Sequence, residues 1–322
     1  MSTAAAATAS AVTTSTLATG KSQDRNLTSL VFLGALWFSL FFGVVVLFAL
    51  IVDTAISGAD RFDKELFTQY TQSFDPERAE ALAATGRDPK DLSAAYTGFK
   101  SGIVGSVILM ITTALMAIPL GVAAAVYLEE FSSKTSRFSR IVEVNLQNLA
   151  AVPAVIYGML AASLMAAVGA ERGIAIGGAV ALSLLILPVV IITTREALRS
   201  VPDEIRQGSL ALGATVWQTT WRQTLPSAVP GIATGTILGL SRAIGEAAPL
   251  VMIGFGAINF APELPYITSK IEAFPLEIYD AAQSSREIVR QAASAGIIVL
   301  LAMILGMNAL AIIIRNKFQR SW

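Results

Sequence analysis

Two charged residues interrupt a long apolar stretch of this sequence, and they are the first candidates for chemistry. Between Ser227 and Phe260 every side chain is uncharged except Arg242 and Glu246. An arginine or an acid at the centre of a membrane-spanning helix costs ~2.5–3.5 kcal/mol on insertion scales, so such residues line a bundle interior or a water-filled path. A spacing of four puts both side chains on one helix face. If this helix enters the membrane near Pro230, Arg242 lies about 18 Å along it, near the midplane of a hydrocarbon core about 30 Å thick. The residues themselves leave two readings open. Either the two charges compensate each other and fix the orientation of the helix, or the guanidinium is a fork for an oxyanion, held by the carboxylate until the anion arrives.

Other chemistry is scarce. The chain has 322 residues with no cysteine and no histidine. Disulfides, thiolate nucleophiles, zinc sites with Cys or His ligands and histidine proton relays are therefore excluded. Gly20-Lys21-Ser22 matches the end of a phosphate-binding loop, but the glycine required five residues before Gly20 is Ser15, and no strand precedes it. Formal net charge is zero, so nothing in the balance suggests nucleic acid.

The elements that must position Arg242 and Glu246 are membrane helices. Hydrophobic residues make up 54% of the chain and charged residues only 14%, against about 25% in an ordinary soluble protein. Uncharged runs long enough to span lie at Asn26–Val52, Ser101–Leu128, Val144–Ala170, Gly173–Thr194 and Gln291–Ile314. Ser227–Phe260 is a sixth, too long for one simple helix, with Gly245 and Pro249 marking a break or kink near its middle. The sequence thus predicts an all-α membrane protein with about six transmembrane helices. Residues 1–28 read as a disordered tail, 29–96 as the first helix with an extracytoplasmic loop, and 97–318 as the main transmembrane domain.

With the N-terminus inside, segments 1–28, 129–143, 195–226 and 315–322 face the cytoplasm and hold 12 Lys/Arg against 7 Asp/Glu. The outer segments hold 10 against 15. The 48-residue outer loop weighs little in such a count, and Arg315, Lys317 and Arg320 after the last helix are the cleanest signal. Both termini are expected in the cytoplasm.

One inner segment, 195–226, reads as more than a connection. Pro202-Asp203 starts a short helix with acids in its first turn, and Gly213 permits a sharp turn at its end. Trp217 and Trp221 share one face of a second helix suited to the membrane interface. A helix, a glycine turn and an interfacial helix form either a tethered surface loop or a rigid projection for a partner.

This segment resembles the cytoplasmic signature of ABC-importer permeases. There Glu-Ala-Ala, a glycine four residues on and a later Ile-x-Leu-Pro form the ATPase-docking element. The corresponding positions here are Gln207, Gly208, Ser209, Gly213, Gln223, Leu225 and Pro226. Gly213 and Leu225-Pro226 are kept, whereas the Glu, both Ala and the Ile are replaced. The run Ala211–Thr219, Ala-Leu-Gly-Ala-Thr-x-Trp-Gln-Thr, is very similar to the family. The stretch Ile118-Pro119-Leu120-Gly121 through Glu130 resembles the second helix of phosphate-importer permeases, and Leu149 through Gly158 resembles the third. Arg242-Ala243-Ile244-Gly245-Glu246-Ala247-Ala248-Pro249-Leu250 resembles an Arg-x-x-Gly-Glu-Thr-Ala-Pro-Leu motif, with Ala247 in place of the threonine. Its Pro-Leu ending looks like the PstA type of subunit, where the PstC type has Met-Ala-Val.

The resemblance covers roughly residues 97–318. It implies the type I ABC importer permease (MetI-like) fold and a bacterial cell-membrane protein that forms half of a translocation pathway for inorganic phosphate. It also implies a PstC-like permease partner, two PstB-like ATPase subunits and an extracytoplasmic phosphate-binding protein. ATP hydrolysis then belongs to the partners, and this chain needs no cofactor. Arg242 and Glu246 become pathway residues, and Gln207, Gly208, Ser209, Gly213, Leu225 and Pro226 become docking residues. The alternatives are a permease for sulfate, molybdate or another oxyanion, an ion-coupled secondary transporter in which Glu246 carries the proton, and a membrane-embedded enzyme.

Overall fold

The computed structural model describes residues 27–70, 84, 98–132, 137–256, 265 and 267–318. The expected tail, most of the outer loop and the end of the Ser227–Phe260 run lie outside the described residues. Among those described, the chain is helical apart from one isolated antiparallel bridge between Ile174 and Lys270. It divides into two compact units, residues 1–53 and 54–322.

The first unit is represented by α1, Leu27–Gly58, which runs on into the second. Its large apolar side chains from Leu30 to Val52 are almost all exposed, including Phe38, Phe41 and Phe48. A helix apolar all round is suited to lipid.

The second unit begins with a turn at Ala59–Arg61 and short α2, Lys64–Thr68, capped by the Asp63 carboxylate, which accepts from Leu66 N–H at 2.8 Å. Then come α3, Lys100–Val126, ending in a π-helical turn at Tyr127–Phe131, α4, Arg137–Ala150, and α5, Ala154–Ala167. Helix α6, Ala175–Arg199, is the centre of the bundle. It packs against α3 and against α9, Leu225–Gly245, and 67% of its most apolar stretch is buried. Small residues at Ala175, Gly177, Gly178, Ala179 and Ala181 let neighbouring backbones approach, as helices in lipid require. Between α6 and α9 stand α7, Asp203–Ala211, and α8, Val216–Thr219, followed by a second π-helical turn at Thr220–Thr224. After α9 come α10, Ala248–Ile253, α11, Phe274–Ala282, and α12, Glu287–Phe318.

Two of the six expected spans are broken in the structure. Among the described residues, four helices are long and apolar enough to cross a membrane, namely α1, α3, α6 and α12, or five if α4 and α5 count as one broken span. The run Val144–Ala170 is not one helix: α4 starts seven residues earlier than expected, and the chain bends by 104° between α4 and α5. Pro153 is the cause, because it disfavours helical geometry at Val152 and has no N–H to give the carbonyl four residues back. The sixth region breaks as its Gly245 and Pro249 imply, with α9 ending at Gly245 and α10 restarting at Ala248. Helix α9 falls short of the spanning criterion because Arg242 and its Gly, Ser and Thr residues dilute its apolar character.

The two broken elements meet, since α5 packs along α10. Gly158 permits it: a Cβ there would lie 2.5 Å from the Pro249 carbonyl oxygen and 2.6 Å from its Cα. Neither atom can swing aside. Gly158→Val is therefore expected to lower the thermal unfolding midpoint in detergent, at a cost of about 1–3 kcal/mol. Gly306→Ala, where nothing lies within 4 Å, is the control. Equal midpoints for the two variants would contradict this packing.

Candidate functional site

Arg242 lies in the last turn of α9, where the negative end of the helix dipole favours a cation. Glu246 follows the end of the helix in an extended conformation, φ −88° and ψ 106°, and its N–H donates to the Ala243 carbonyl at 3.3 Å. Although the helix stops between them, the two side chains still face each other, with Arg242 Nε 3.5 Å from Glu246 Oε1. That separation is long for a charge-assisted hydrogen bond, which runs about 2.7–2.9 Å. The Arg242 side chain is 47% exposed and that of Glu246 28%. The terminal guanidinium nitrogens make no hydrogen bond among the described residues.

Two polar contacts lie beside this pair. Buried Tyr157 on α5 donates its hydroxyl to the Leu149 carbonyl at 2.6 Å and lies within electrostatic reach of Arg242. Leu149 is the residue whose carbonyl Pro153 deprives of its helical donor, so the phenol closes the gap that the proline opens. On the other side, Ser241 Oγ donates to the Ile237 carbonyl at 2.7 Å and also contacts Asn308 Oδ1, joining α9 to α12.

The expected helix–turn–helix is present. Asp203 and Glu204 occupy the first turn of α7, and Gly213 has φ +85°, a left-handed conformation that glycine adopts without the steric cost of a Cβ. Thr215 then caps α8: its hydroxyl accepts from Gln218 N–H at 3.2 Å, and the Gln218 side chain accepts from Thr215 N–H at 2.9 Å. The π-helical turn carries the chain into α9, with Pro226 in its first turn. Gln207 and Gly208 are exposed on α7, and Gly213 is exposed at the turn. Ser209 is half-buried and bonds Thr219 across to α8 at 2.9 Å. Leu225 is half-buried against Ala197, Leu198 and Ala228, while Pro226 is exposed. A groove between the two helices is lined by Glu204, Gly208, Leu212, Ala214, Gln218 and Arg222. The Trp217 and Trp221 rings lie 5.4 Å apart and Phe131 joins them at 5.9 Å, an aromatic group suited to a membrane interface.

Several residues here have no counterpart in the sequence reading. Leu212, beside Gly213, is 91% exposed, an apolar side chain at the tip of a projection. Its position between Ala211 and Gly213 is a signal that periodicity does not register. Beneath the projection is a cluster of charges. Glu129 contacts Arg195 at 3.3 Å and Arg199 at 3.0 Å, and Glu143 contacts the same two arginines at 3.6 and 3.8 Å. Arg206 on α7 contacts Glu130 at 3.0 Å. The spacing of four between Arg195 and Arg199, and the Glu129-Glu130 step ending an apolar run, are the only local hints. Glu129 and Arg195 are the buried pair of this cluster, and removing one partner from such a pair strands a charge at a cost of about 3–5 kcal/mol.

An all-helical membrane bundle with a broken helix bearing an ion pair, and a rigid helix–turn–helix at one end, has the architecture of an importer permease. The chain belongs to the family of binding-protein-dependent transport system inner membrane components, whose family model matches residues 92–321. It is 38% identical over 184 residues to the phosphate transport system permease protein PstA 1 of Mycobacterium tuberculosis (strain ATCC 25618 / H37Rv), a match covering 56% of this chain and 58% of that one. The match thus spans less than two thirds of the mycobacterial relative. PstA of Xylella fastidiosa (strain Temecula1 / ATCC 700964) is 31% identical over 226 residues, covering 70% of this chain and 77% of the relative. PstA of Yersinia pestis is 29% identical over 279 residues, covering 87% of each. The inward-facing MetNI methionine ABC transporter has a similar fold, with a TM-score of 0.54 at 16% identity over 68% of this chain and 94% of that one. So has a bacterial alginate ABC transporter in complex with an alginate-bound periplasmic protein, with a TM-score of 0.55 at 16% identity over 89% and 96%.

Proposed function

We propose that this chain is the PstA-type permease subunit of an ATP-driven importer of inorganic phosphate. The observation that carries the reading is Arg242, half-exposed at the break in α9 with its terminal nitrogens free to bind, in a chain whose relatives carry the phosphate-transport name. Phosphate at neutral pH is an anion that must cross a low-dielectric core. A guanidinium fork offers it paired donors in a fixed plane. Glu246 compensates the arginine when the path is empty, avoiding an isolated charge. The 3.5 Å separation is loose enough for an arriving anion to take the carboxylate's place.

The chain supplies half of the pathway, and a PstC-like permease supplies the rest. An extracytoplasmic phosphate-binding protein delivers the anion, and two PstB-like ATPases hydrolyse the nucleotide. Gln207, Gly208, Gly213 and Pro226 are exposed for one ATPase, Ser209 and Leu225 support the docking element from within, and Leu212 stands at its tip. Both termini are cytoplasmic. Arg315 near the end of α12 hydrogen-bonds Thr234 midway along α9 at 3.0 Å. A cysteine placed at Thr215, in a chain that has none of its own, is expected to label only when reagent reaches the cytoplasm. Labelling in intact cells by an impermeant reagent would overturn the orientation.

Arg242→Gln is expected to abolish phosphate uptake nearly completely while the complex assembles. Arg242→Lys is expected to lower uptake roughly tenfold, because it keeps the charge and loses the paired donors. Uptake and complex yield measured together decide the matter: full uptake by Arg242→Gln excludes a substrate role, and uptake lost only in step with complex yield leaves the ion pair a purely structural part. Sulfate or molybdate uptake in place of phosphate would reassign the cargo.

For docking, Gly213→Asp is the test. A Cβ at φ +85° costs roughly 1–2 kcal/mol, and the acid adds charge to the tip. Membrane insertion should be normal, with transport and ATPase co-purification both lost. Normal transport by this variant would favour an ion-coupled carrier that needs no ATPase.

A further inference from the structure

Arg206 is the most heavily bonded side chain in the projecting element, and it points away from the groove. Its Nη1 donates to the Val201 carbonyl at 2.8 Å and to Asp203 Oδ1 at 3.0 Å. Its Nη2 donates to the Leu198 carbonyl at 2.6 Å and to Glu130 Oε1 at 3.0 Å. Leu198 is in the last turn of α6 and Val201 lies just past its end, where carbonyls lack helical donors and a cation is favoured by the dipole. Glu130 belongs to the π-helical turn that ends α3. One guanidinium therefore fastens α7 to the ends of both α3 and α6.

The surroundings make this a rigid joint. The Glu130 side chain is 8% exposed and that of Arg206 19%, so water screens their interaction little. Ile205, the neighbouring residue, packs on the apolar group formed by Val126, Leu198 and Val201. The π-helical turn lets adjacent acids diverge, with Glu129 reaching Arg195 and Arg199 on α6 and Glu130 reaching α7. α7 also packs against the π-helical turn at Thr220–Thr224 and bonds α8 through Ser209 and Thr219, and Ser200–Pro202 before it and Gly213 after it are the non-helical links to its neighbours. Among these contacts, the guanidinium is the one that reaches the ends of α3 and α6 together.

We propose that Arg206 is a positioning residue that transmits displacement of α7 to α3 and α6, and so couples nucleotide-driven motion to the pathway. This rests on the reading of α7 as the ATPase-docking helix. Arginine suits the task because its planar fork meets two carbonyls and two carboxylates at once, whereas a lysine has a single nitrogen to place.

The experiment uses the complete complex with its binding protein in proteoliposomes and reads phosphate imported per ATP hydrolysed, together with ATPase co-purification. Arg206→Met, which keeps much of the length and loses every polar contact, should retain the ATPases and continue hydrolysis while the ratio falls about tenfold, as expected for a buried joint. Arg206→Lys should lose about two- to fivefold, consistent with keeping charge without the fork. Glu130→Gln, which preserves shape, should also lower the ratio without releasing the ATPases. An unchanged ratio in Arg206→Met overturns the inference, and so does release of the ATPases by that variant, which would make Arg206 a support of the docking surface rather than a transmitter. The docking reading fails separately, if Gly213→Asp keeps both ATPases and transport.

Discussion

The hydrocarbon core supplies no water to a backbone that leaves its helix, so every break in a membrane helix must be repaired from within the protein. The region around α5 and α10 follows from that constraint. Pro153 removes a donor from Leu149, and the Tyr157 hydroxyl takes its place. Val152 N–H adds a second donor to the same carbonyl at 3.0 Å. At the other break, Glu246 N–H turns back to Ala243. Because each break is capped, both persist, and because Gly158 lets Pro249 sit against α5, they persist side by side. Arg242 is presented at this junction by the end of α9, where unpaired carbonyls already favour a positive charge.

A different economy governs the end of the bundle that carries α7. Here the carboxylates of Glu129 and Glu130 are largely withdrawn from water, and each is matched by arginine. Burying such charges brings no net stability over well-packed apolar residues. What it supplies is direction, because a guanidinium and a carboxylate fix distance and angle where leucines would slide. Soft apolar packing suits helices that must move against one another, and the stiff polar contacts are concentrated where α3, α6 and α7 must move together.

Much of this was legible in the sequence, for reasons that individual residues make plain. Helices α1, α3, α6 and α12 announce themselves by uninterrupted apolar length, and Gly245 with Pro249 marks the break in the sixth run. The α7–turn–α8 element was readable because Asp203, Gly213 and the Trp217–Trp221 spacing each mark a local feature that needs no tertiary help. The bend at Pro153 was not readable. Pro119, Pro188 and Pro230 lie inside unbroken helices, so a proline in an apolar run does not by itself declare a break. At residue 153 the bend that the proline sets is held by the Tyr157 hydroxyl on Leu149 and by the α10 backbone packed on Gly158. Hydropathy is blind to it, since both limbs of the bend are apolar where they meet. Nor was the charge cluster readable: Glu129, Glu143, Arg195 and Arg206 come from four segments, and a sequence can count charges without matching them.

The acceptors of Arg206 bear on how such a chain diverges over time. Two of the four are main-chain carbonyls, at Leu198 and Val201, which any residue type provides. Drift at those positions is limited by the size of the buried side chain, with no bearing on the guanidinium. Glu130 is another matter, since its contribution is made by the side chain alone. Among descendants of a common ancestor, positions 130 and 206 should therefore change in concert while 198 and 201 vary independently of 206, and contacts inferred from correlated substitution would reveal only half of the joint.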